Sequence, residues 1–274
     1  MNTSVFLKWA GGKRRILDKI DKELPDKINR YFEPFLGAGA VFFYVKEKYN
    51  PKFCLISDIN KDLIDAYIAV RDNVGLLMKY LREYREQNSK AFYLGIRDKY
   101  NKGRIWGINR SAAFIYINKT CFNGIYRVNS KNEFNVPYGR NKSVSIFEKE
   151  YLLKASELLK GVNIVRQDYR EIIDKVEEDD LVYLDPCYDP LKKTSFANYT
   201  PERFNLSDRE KLFKFVESLT VKKTKMILSN NALDEIRRLY KKDKYKIIEI
   251  MVSRPINSMT SSRGAIPEFL IKNY

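Results

Sequence analysis

Short apolar runs alternate with amphipathic stretches along most of the chain. In NRYFEPFLGAGAVFFYVKEKY, an apolar run predicts a strand, residues 36–40 form a glycine-containing turn, and a helix is predicted from about Val41. KFCLISDINKDLIDAYIAVRDN repeats this order, with a strand that ends at Asp58 and a helix behind it. The first part of the chain therefore predicts two strand-helix units.

The same alternation returns in the second half of the chain. VNIVRQDYREIID, DLVYLDPCY and TKMILSNN each predict a strand, and two more strands are predicted near residues 245–252 and 269–272. Helices are predicted near residues 207–219 and after TKMILSNN. Alternating strands and helices predict an α/β fold, in which helices cover both faces of a mostly parallel sheet.

The residues between these two halves form an insertion. Their pattern is mainly helical, with a loop or hairpin at residues 118–140. We therefore predict one domain made of residues 1–74 and 161–274, which is interrupted by a second domain of residues 75–160.

Positive charge is concentrated in the insertion. The chain has a net charge of +16, and residues 75–160 contain 17 Lys/Arg against 7 Asp/Glu. Aromatic residues are interleaved with this charge in FIYINKTCFNGIYRVNSKNEFNVPYGRNK. Such a stretch is typical of a surface that tracks the phosphates of nucleic acid. Composition alone is equally compatible with a solvated basic face.

Composition also excludes several kinds of chemistry. The sequence has no histidine, which excludes Ser-His-Asp hydrolysis and His-ligated metals, and its three cysteines lack metal-ligand spacing. No apolar run approaches the roughly 20 residues of a bilayer span, and the N-terminus does not resemble a signal peptide. We expect a cytoplasmic protein that does not associate with membranes and whose chemistry depends on carboxylates or a cofactor.

Acidic side chains stand at the ends of neighbouring predicted strands. Asp58, Asp168 and Asp185 end three of them, and Gly37 and Gly39 follow the first strand. Because ligands of such sheets bind beyond the carboxyl ends of the strands, these residues predict one site. Glycines let a ligand approach the backbone, and an acid about 20 residues further on suits ribose hydroxyls. A nucleoside with an amine and a positive centre, such as S-adenosylmethionine, would suit these acids.

The stretch DLVYLDPCY predicts a buried strand that ends at a reactive loop. The Asp185 side chain and the Pro186 carbonyl offer two acceptors to one small space, with the proline φ fixed near about −65°. Two acceptors can hold both hydrogens of an amino group and leave its lone pair to attack a methyl group. Tyr188 would supply an aromatic face for a base extruded from a duplex.

Six segments together resemble a known family. FLKWAGGKRR, FEPFLGAGAVFF, SDINKDLI, FIYINKTCFNGIYR, EFNVPYG and LDPCY are similar, in the same order, to the motifs of Dam-type adenine-specific DNA methyltransferases (D12 class, alpha motif order). The resemblance covers nearly the whole chain, through VSRPINS and the closing PEFLIKNY. It implies a Rossmann-like S-adenosylmethionine-dependent methyltransferase sheet with an inserted, mainly helical DNA-recognition domain. It also implies methyl transfer to the exocyclic amino group of a flipped adenine in double-stranded DNA, without a metal.

The resemblance implies which residues bind the cofactor and the adenine. The cofactor set consists of Trp9, Ala10, Gly11, Lys13, Glu33, Pro34, Phe35, Gly37, Gly39, Asp58, Asp168 and Asp185. Within it, Asp58 matches the acid on the ribose and Asp168 the acid that contacts the cofactor's adenine. Asp185, Pro186 and Tyr188 match the catalytic loop that grips the flipped adenine.

The resemblance also implies a set of DNA-binding residues. They are Lys8, Arg110, Asn118, Phe122, Asn123, Ile125, Arg127, Pro137, Arg140 and Tyr199. Phe122 matches an aromatic that wedges into the DNA stack. Arg127 would donate to a guanine edge, and Ile125 with Pro137 would touch a thymine methyl group, which together favour GATC. Alternatively, Phe122 and Ile125 pack inside the insertion and Arg127 contacts phosphates alone.

One position departs from the family. The family usually has a second proline where this chain has Cys187. We expect methyl transfer to survive, because both acceptors belong to Asp185 and Pro186. A catalytically impaired DNA-binding regulator of the same fold is the alternative, and cytosine methylation by Cys187 is disfavoured because a thiolate beside Asp185 meets like charge. We expect a monomer, and a cognate restriction endonuclease system as a partner.

Overall fold

A computed structural model provides the coordinates of the protein. It describes residues 5–9, 11–139, 144–186, 206–241, 243–253 and 265–274. Four of the predicted site residues, and the departing cysteine, lie outside these ranges: Ala10, Arg140, Tyr188, Tyr199 and Cys187.

Within the described residues, seven strands form one mixed sheet, which confirms the predicted α/β fold. The strands are β1 (Arg30–Glu33), β2 (Phe53–Asp58), β3 (Asn163–Arg166), β4 (Leu181–Leu184), β5 (Lys225–Asn231), β6 (Lys246–Ser253) and β7 (Ala265–Lys272). Their order is β3-β2-β1-β4-β5-β7-β6, and β7 alone runs antiparallel to its neighbours. This is the Rossmann order with one antiparallel strand added between the last two strands.

Helices connect the strands and build the insertion. In the described ranges they are α1 (Leu17–Asp21), α2 (Ala40–Tyr49), α3 (Lys61–Glu86), α4 (Lys90–Asn101), α5 (Gly107–Thr120), α6 (Lys149–Leu159), α7 (Leu206–Val221) and α8 (Asp234–Tyr240). None of these described helices combines the length and apolarity that crossing a bilayer requires. Helix α3 loses helical geometry at Asn73, next to the predicted boundary between residues 74 and 75.

The sheet and the insertion share an apolar core. Adjacent residues on a strand face opposite sides of a sheet, so Tyr31 and Phe32 of β1 belong to different apolar clusters. The cluster that contains Tyr31 continues into the insertion through Phe114 of α5, which is fully buried. Burying a side chain of this size contributes about 1.5–3 kcal/mol. The division into two domains stays a prediction, because the apolar core crosses its boundary.

A hairpin follows α5, in the position that the sequence predicts. Two antiparallel bridges, Cys121 to Tyr138 and Val128 to Phe134, join its two sides. Asn101, the last residue of α4, bonds to both main-chain groups of Phe134 at 2.9 Å and 3.0 Å. The hairpin is therefore anchored on the helices of the insertion.

The turn between β1 and α2 requires glycine at two positions. Gly37 and Gly39 have left-handed backbone angles, with φ of +49° and +65°. A Cβ atom on Gly37 would lie 2.9 Å from Cδ1 of Trp9, and one on Gly39 would lie 2.6 Å from the hydroxyl of Tyr67. The predicted turn is confirmed, and α2 begins at Ala40, one residue earlier than expected.

We predict that Gly39→Ala lowers the free energy of unfolding by about 1–3 kcal/mol. A left-handed residue with a Cβ costs about 1–2 kcal/mol, and the contact with Tyr67 adds to this cost. Gly95→Ala is the matched control, because Gly95 is exposed in α4 and a Cβ added there would have no heavy atom within 4 Å. The control should gain roughly 0.5–1 kcal/mol. Urea unfolding followed by circular dichroism measures both, and equal effects in the two variants would contradict the prediction.

Candidate active site

Three acidic side chains meet at the carboxyl edge of the sheet. Glu33 ends β1, Asp58 ends β2, and Asp185 follows directly after β4. These strands are parallel neighbours, with β1 in the middle. The structure therefore brings Asp58 and Asp185 to one edge, as the strand pattern predicts, with Glu33 of the cofactor set between them. Asp168 follows β3 and caps a short 3₁₀ turn by accepting from the Arg170 backbone.

Asp58 closes the turn that precedes α2. Its carboxylate accepts hydrogen bonds from the backbone N–H of Gly37 at 3.2 Å and of Asn60 at 3.0 Å. Burial raises the pKa of Asp58, although these N–H bonds act in the opposite direction. A carboxylate has about four acceptor sites, so Asp58 can hold this turn and still accept from ribose hydroxyls.

Glu33 is a buried carboxyl beside the turn. The hydroxyl of Tyr31 donates to it at 2.6 Å. Burial raises the pKa of Glu33 well above its usual value, the Tyr31 bond opposes this shift, and the charge of Asp185 adds to it. Pro34 is buried and Phe35 stacks on Tyr169 at a ring distance of 5.0 Å, so these two residues shape the wall of the site.

Lys13 places a positive charge against the catalytic acid predicted from the sequence. Its Nζ lies 3.0 Å from Asp185 and 3.4 Å from Glu268, and the lysine side chain is only 4% exposed. Burial alone would lower the pKa of Lys13, but attraction from Asp185, Tyr183 and Glu268 outweighs burial and raises it. Glu268 is not among the predicted site residues, although it lies in the closing segment PEFLIKNY.

Trp9 lies between the glycine turn and the hairpin. Its ring stacks on Tyr126 with centroids 5.0 Å apart, and its edge packs where Gly37 lacks a side chain. Gly11 is exposed and has φ of +78°, so backbone conformation and not space requires glycine there. The N-terminal segment therefore reaches both the turn after β1 and the inserted residues.

Asn118 fixes the N-terminal segment to the insertion. Its side chain accepts from the Lys8 backbone N–H at 2.9 Å and donates to the Lys8 carbonyl at 2.8 Å. Asn118 is fully buried, so its side chain is not exposed to DNA, contrary to the DNA contact expected from the sequence. The physical reason is that its amide satisfies two backbone groups that would otherwise lack partners.

Most of the other predicted DNA-binding residues lie on one exposed surface, which we call the hairpin face. Lys8, Phe122, Asn123 and Pro137 are exposed, and Ile125 and Arg127 are half-buried. The Phe122 backbone N–H donates to the Pro137 carbonyl at 2.8 Å. A Cβ atom on Gly124 would lie 2.3 Å from the Lys8 side chain, so Lys8 packs directly on the hairpin. The structure thus brings these predicted residues together.

Comparison with known proteins identifies the family of this chain. A family model described as "D12 class N6 adenine-specific DNA methyltransferase" matches residues 9–256. Type II methyltransferase M.MjaIII of Methanocaldococcus jannaschii is 42% identical, with 100% of both chains covered. Type II methyltransferase M1.LlaDCHI of Lactococcus lactis subsp. cremoris is 38% identical, with 100% of this chain and 96% of that one covered. A DNA adenine methylase of Escherichia coli (strain K12) is 33% identical, with coverages of 97% and 93%.

The chain belongs to the D12 class of N6 adenine-specific DNA methyltransferases. Its seven-stranded sheet has the Rossmann-like order, and DNA is its substrate.

The residues at the carboxyl edge of this D12 methyltransferase fit S-adenosylmethionine. The ligand carries ribose hydroxyls, an amino group and a sulfonium centre, and the edge carries the buried acids Glu33 and Asp58. Trp9 packs against Gly37 and the Tyr67 hydroxyl against Gly39, so the turn beside these acids is tightly packed. No group of three or more potential ligands in the described ranges is arranged to hold a metal ion.

Arg110 has protein partners in this D12 methyltransferase. Its guanidinium makes two hydrogen bonds to Asp62, at 2.7 Å and 3.1 Å, and lies 4.2 Å from the centre of the Tyr100 ring. The Tyr100 hydroxyl donates to the same carboxylate at 2.6 Å. Arg110 therefore ties α5 to the first turn of α3, and the DNA contact expected from the sequence would require this bidentate pair to open.

Lys119, which the sequence did not single out, lies beside Lys8. Burial, followed by repulsion from Lys8, lowers the pKa of Lys119 to about 8. The Lys8 ammonium donates to the Lys119 carbonyl at 3.4 Å, so the two residues are neighbours beside the hairpin face. A lysine that is repelled by its neighbours gains a proton readily when phosphates approach.

We predict that DNA binding is coupled to proton uptake by Lys119. Phosphates would raise the pKa of Lys119 above about 8, so affinity for duplex DNA should fall as the pH rises from about 7.5 to 9.5. Lys119→Met should lose most of this pH dependence. The control Lys79→Met removes an equal charge from an exposed position on α3 and should keep it. Fluorescence anisotropy at constant ionic strength measures the affinities, and an unchanged slope in Lys119→Met would contradict the assignment.

Proposed function

We propose that this D12 methyltransferase transfers a methyl group from S-adenosylmethionine to the exocyclic amino group of an adenine flipped out of double-stranded DNA, within GATC. The observation that carries this proposal is the position of Asp185. It stands at the carboxyl edge beside Glu33 and is ion-paired with buried Lys13, whose N-terminal segment also carries Lys8 of the hairpin face. This position supports Asp185 as the acceptor for the adenine amino group at the cofactor edge.

Residues of the edge would hold the cofactor. Asp58 would accept from the ribose hydroxyls, and the positive charge of the ligand would favour the ionised form of Glu33, whose pKa burial otherwise raises. Trp9, which packs where Gly37 lacks a side chain, would close the site from the N-terminal side. When bound, S-adenosylmethionine supplies an electrophilic methyl group.

Asp185 and Pro186 would prepare the adenine amino group. The Asp185 carboxylate and the Pro186 carbonyl would each accept one amino hydrogen, which turns the nitrogen lone pair towards the methyl group. Lys13 keeps Asp185 ionised, so that it remains an acceptor beside the buried acids of the edge. Tyr188, which lies outside the described residues, is expected to stack on the flipped base.

The GATC preference rests on the hairpin face. Phe122 is 52% exposed, as a wedge in the DNA stack would be. Nε of Arg127 donates to Asn135 at 2.8 Å, which holds the plane of the guanidinium for a two-point contact with a guanine edge. The names of the similar proteins bear on the partner of this chain. Two of them are named Type II methyltransferases. A cognate restriction endonuclease as partner and a monomeric state both stay predictions from the sequence.

We predict labelled methyl transfer to adenine in a GATC duplex. Three duplexes are compared, one with a central GATC, one with the site scrambled, and one already methylated on both adenines. Label should appear as 6-methyladenine in the first duplex alone. Asp185→Asn, which keeps the shape of the side chain, should lose roughly 100-fold or more in rate. Label in 5-methylcytosine would contradict the chemistry, and equal label in the first two duplexes would contradict GATC.

Tight DNA binding with no label in any duplex would instead support the impaired regulator. The ion pair between Lys13 and Asp185 argues against this alternative, because a regulator has no need for a charged acceptor held by a buried lysine at the cofactor edge.

We predict that Arg127→Ala reduces the sequence specificity of methyl transfer. Loss of a bidentate guanine contact should reduce discrimination between GATC and a duplex altered at the guanine by roughly 10- to 100-fold. Asn135→Ala should reproduce part of this effect, because it releases the Arg127 plane. Lys131→Ala is the control, since Lys131 is exposed on the same hairpin and should weaken all duplexes alike. The measurement is the rate of methyl transfer to the GATC duplex and to the duplex altered at the guanine. If Arg127→Ala lowers both rates equally, Arg127 contacts phosphates alone.

A further inference from the structure

Glu268 shares a buried ammonium with the catalytic acid. Lys13 Nζ lies 3.0 Å from Oδ1 of Asp185 and 3.4 Å from Oε2 of Glu268. The side chains of Lys13 and Glu268 are 4% and 5% exposed, against 20% for Asp185. One positive charge therefore serves two carboxylates, and the more exposed of the two is the one that would receive the adenine.

The antiparallel strand β7 explains why Glu268 reaches this edge. Glu268 stands opposite Asn231, the last residue of β5, and opposite Ile250 of β6. Because β7 runs in the reverse direction, its first residues lie where the parallel strands end. Glu268 therefore lies on an inner strand, between β5 and β6, at the same carboxyl edge as Asp185.

A buried carboxylate within a sheet lowers the stability of the fold unless it is paired. Burying an unpaired ion costs several kcal/mol, and a buried ion pair is often no more stable than apolar residues of the same volume. Stability alone therefore does not explain why a buried glutamate occupies position 268. Its connection to Asp185 through Lys13 gives a stronger reason.

Because Lys13 shares its ammonium with Glu268, Asp185 keeps more of its capacity to accept hydrogen bonds from the adenine. If Asp185 were the partner of Lys13 alone, the ammonium would move onto it and compete with the adenine amino group for its oxygens. Glu268 takes part of this interaction, with the ammonium 3.4 Å from Glu268 and 3.0 Å from Asp185, so the acceptor capacity of Asp185 is divided less. The titratable groups around Asp185 include Lys13 from the N-terminal segment, Glu33 from β1 and Glu268, through Lys13, from β7, and Tyr183 of β4 acts on the same ammonium.

We propose that Glu268 is a positioning residue for methyl transfer, which acts through Lys13 to set the orientation and charge of Asp185. This inference rests on the proposed function, in which Asp185 binds the adenine amino group. Glu268 itself touches neither the adenine nor the cofactor.

Glu268→Gln is the variant that tests this role, because it keeps the shape of the side chain and removes its charge. We expect kcat at saturating S-adenosylmethionine to fall roughly 10- to 100-fold, since small misplacements of a reacting group have effects of this size. KM for DNA and the Kd for S-adenosylmethionine, measured by calorimetry, should stay within about twofold, because Glu268 contacts neither ligand.

The pH profile of kcat separates positioning from a structural role. Glu268→Gln removes a negative charge near Asp185, so its acid limb should move to lower pH. Lys13→Met removes a positive charge, so its acid limb should move to higher pH. The double variant should be non-additive, because Glu268 acts through Lys13. A merely structural glutamate would lower the melting temperature and leave the acid limb where it is.

Glu23→Gln is the matched control for the same strand. Glu23 pairs at 3.0 Å with Lys272, the last residue of β7. This control should leave kcat and its pH profile unchanged. If Glu268→Gln does not fold, Glu268→Asp decides, because it keeps the charge and should keep the wild-type acid limb with a reduced kcat.

The outcomes distinguish this inference from the proposed function. Wild-type protein that transfers no methyl group to adenine would overturn both. An active wild type with a Glu268→Gln variant of equal kcat and unshifted pH profile would overturn the role of Glu268 and leave the proposed function in place.

Discussion

The buried ammonium of Lys13 is the interaction on which the active site depends. An ammonium can leave water only where carboxylates replace its hydration, and here Asp185 and Glu268 do so from two strands that are far apart in the chain. This requirement fixes the N-terminal segment to the edge of the sheet. Trp9 and Lys8 lie only a few residues away, so the position of one charge determines where the segment meets the glycine turn and the hairpin.

The topology of the sheet supplies the carboxylates. Parallel strands end at one edge, which is why Glu33, Asp58 and Asp185 converge although the whole insertion separates the second from the third. The antiparallel β7 supplies a fourth acid from the opposite direction, because it begins where the others end. A sheet of parallel strands alone would have placed Glu268 at the other edge, away from Lys13.

The sequence pattern predicted those parts of the site that depend on residues close together in the chain. Left-handed backbone and a close neighbour require glycine at position 39, and the sequence predicts that turn from its spacing. The burial of Asn118 and the pairing of Arg110 with Asp62 were not predicted. Asn118 bonds to Lys8, 110 positions away, and Arg110 bonds to a residue 48 positions away. Such partners are chosen by the packed fold, and a polar residue in a basic, aromatic segment has the same pattern whether it meets DNA or the protein's own backbone.

The N-terminal segment joins the cofactor edge to the hairpin face by covalent structure. Lys8 packs on Gly124 of the hairpin, and the next residue, Trp9, stacks on Tyr126 and fills the space beside Gly37. Gly37 leaves no room for adjustment, since a single added carbon would lie 2.9 Å from the Trp9 ring. A displacement of the hairpin would therefore be transmitted through Trp9 to the turn at Gly37. The two residues Lys8 and Trp9 connect the hairpin to the glycine turn, and Asn118 holds the Lys8 backbone at both its N–H and its carbonyl. Close packing around these two residues therefore couples the two regions.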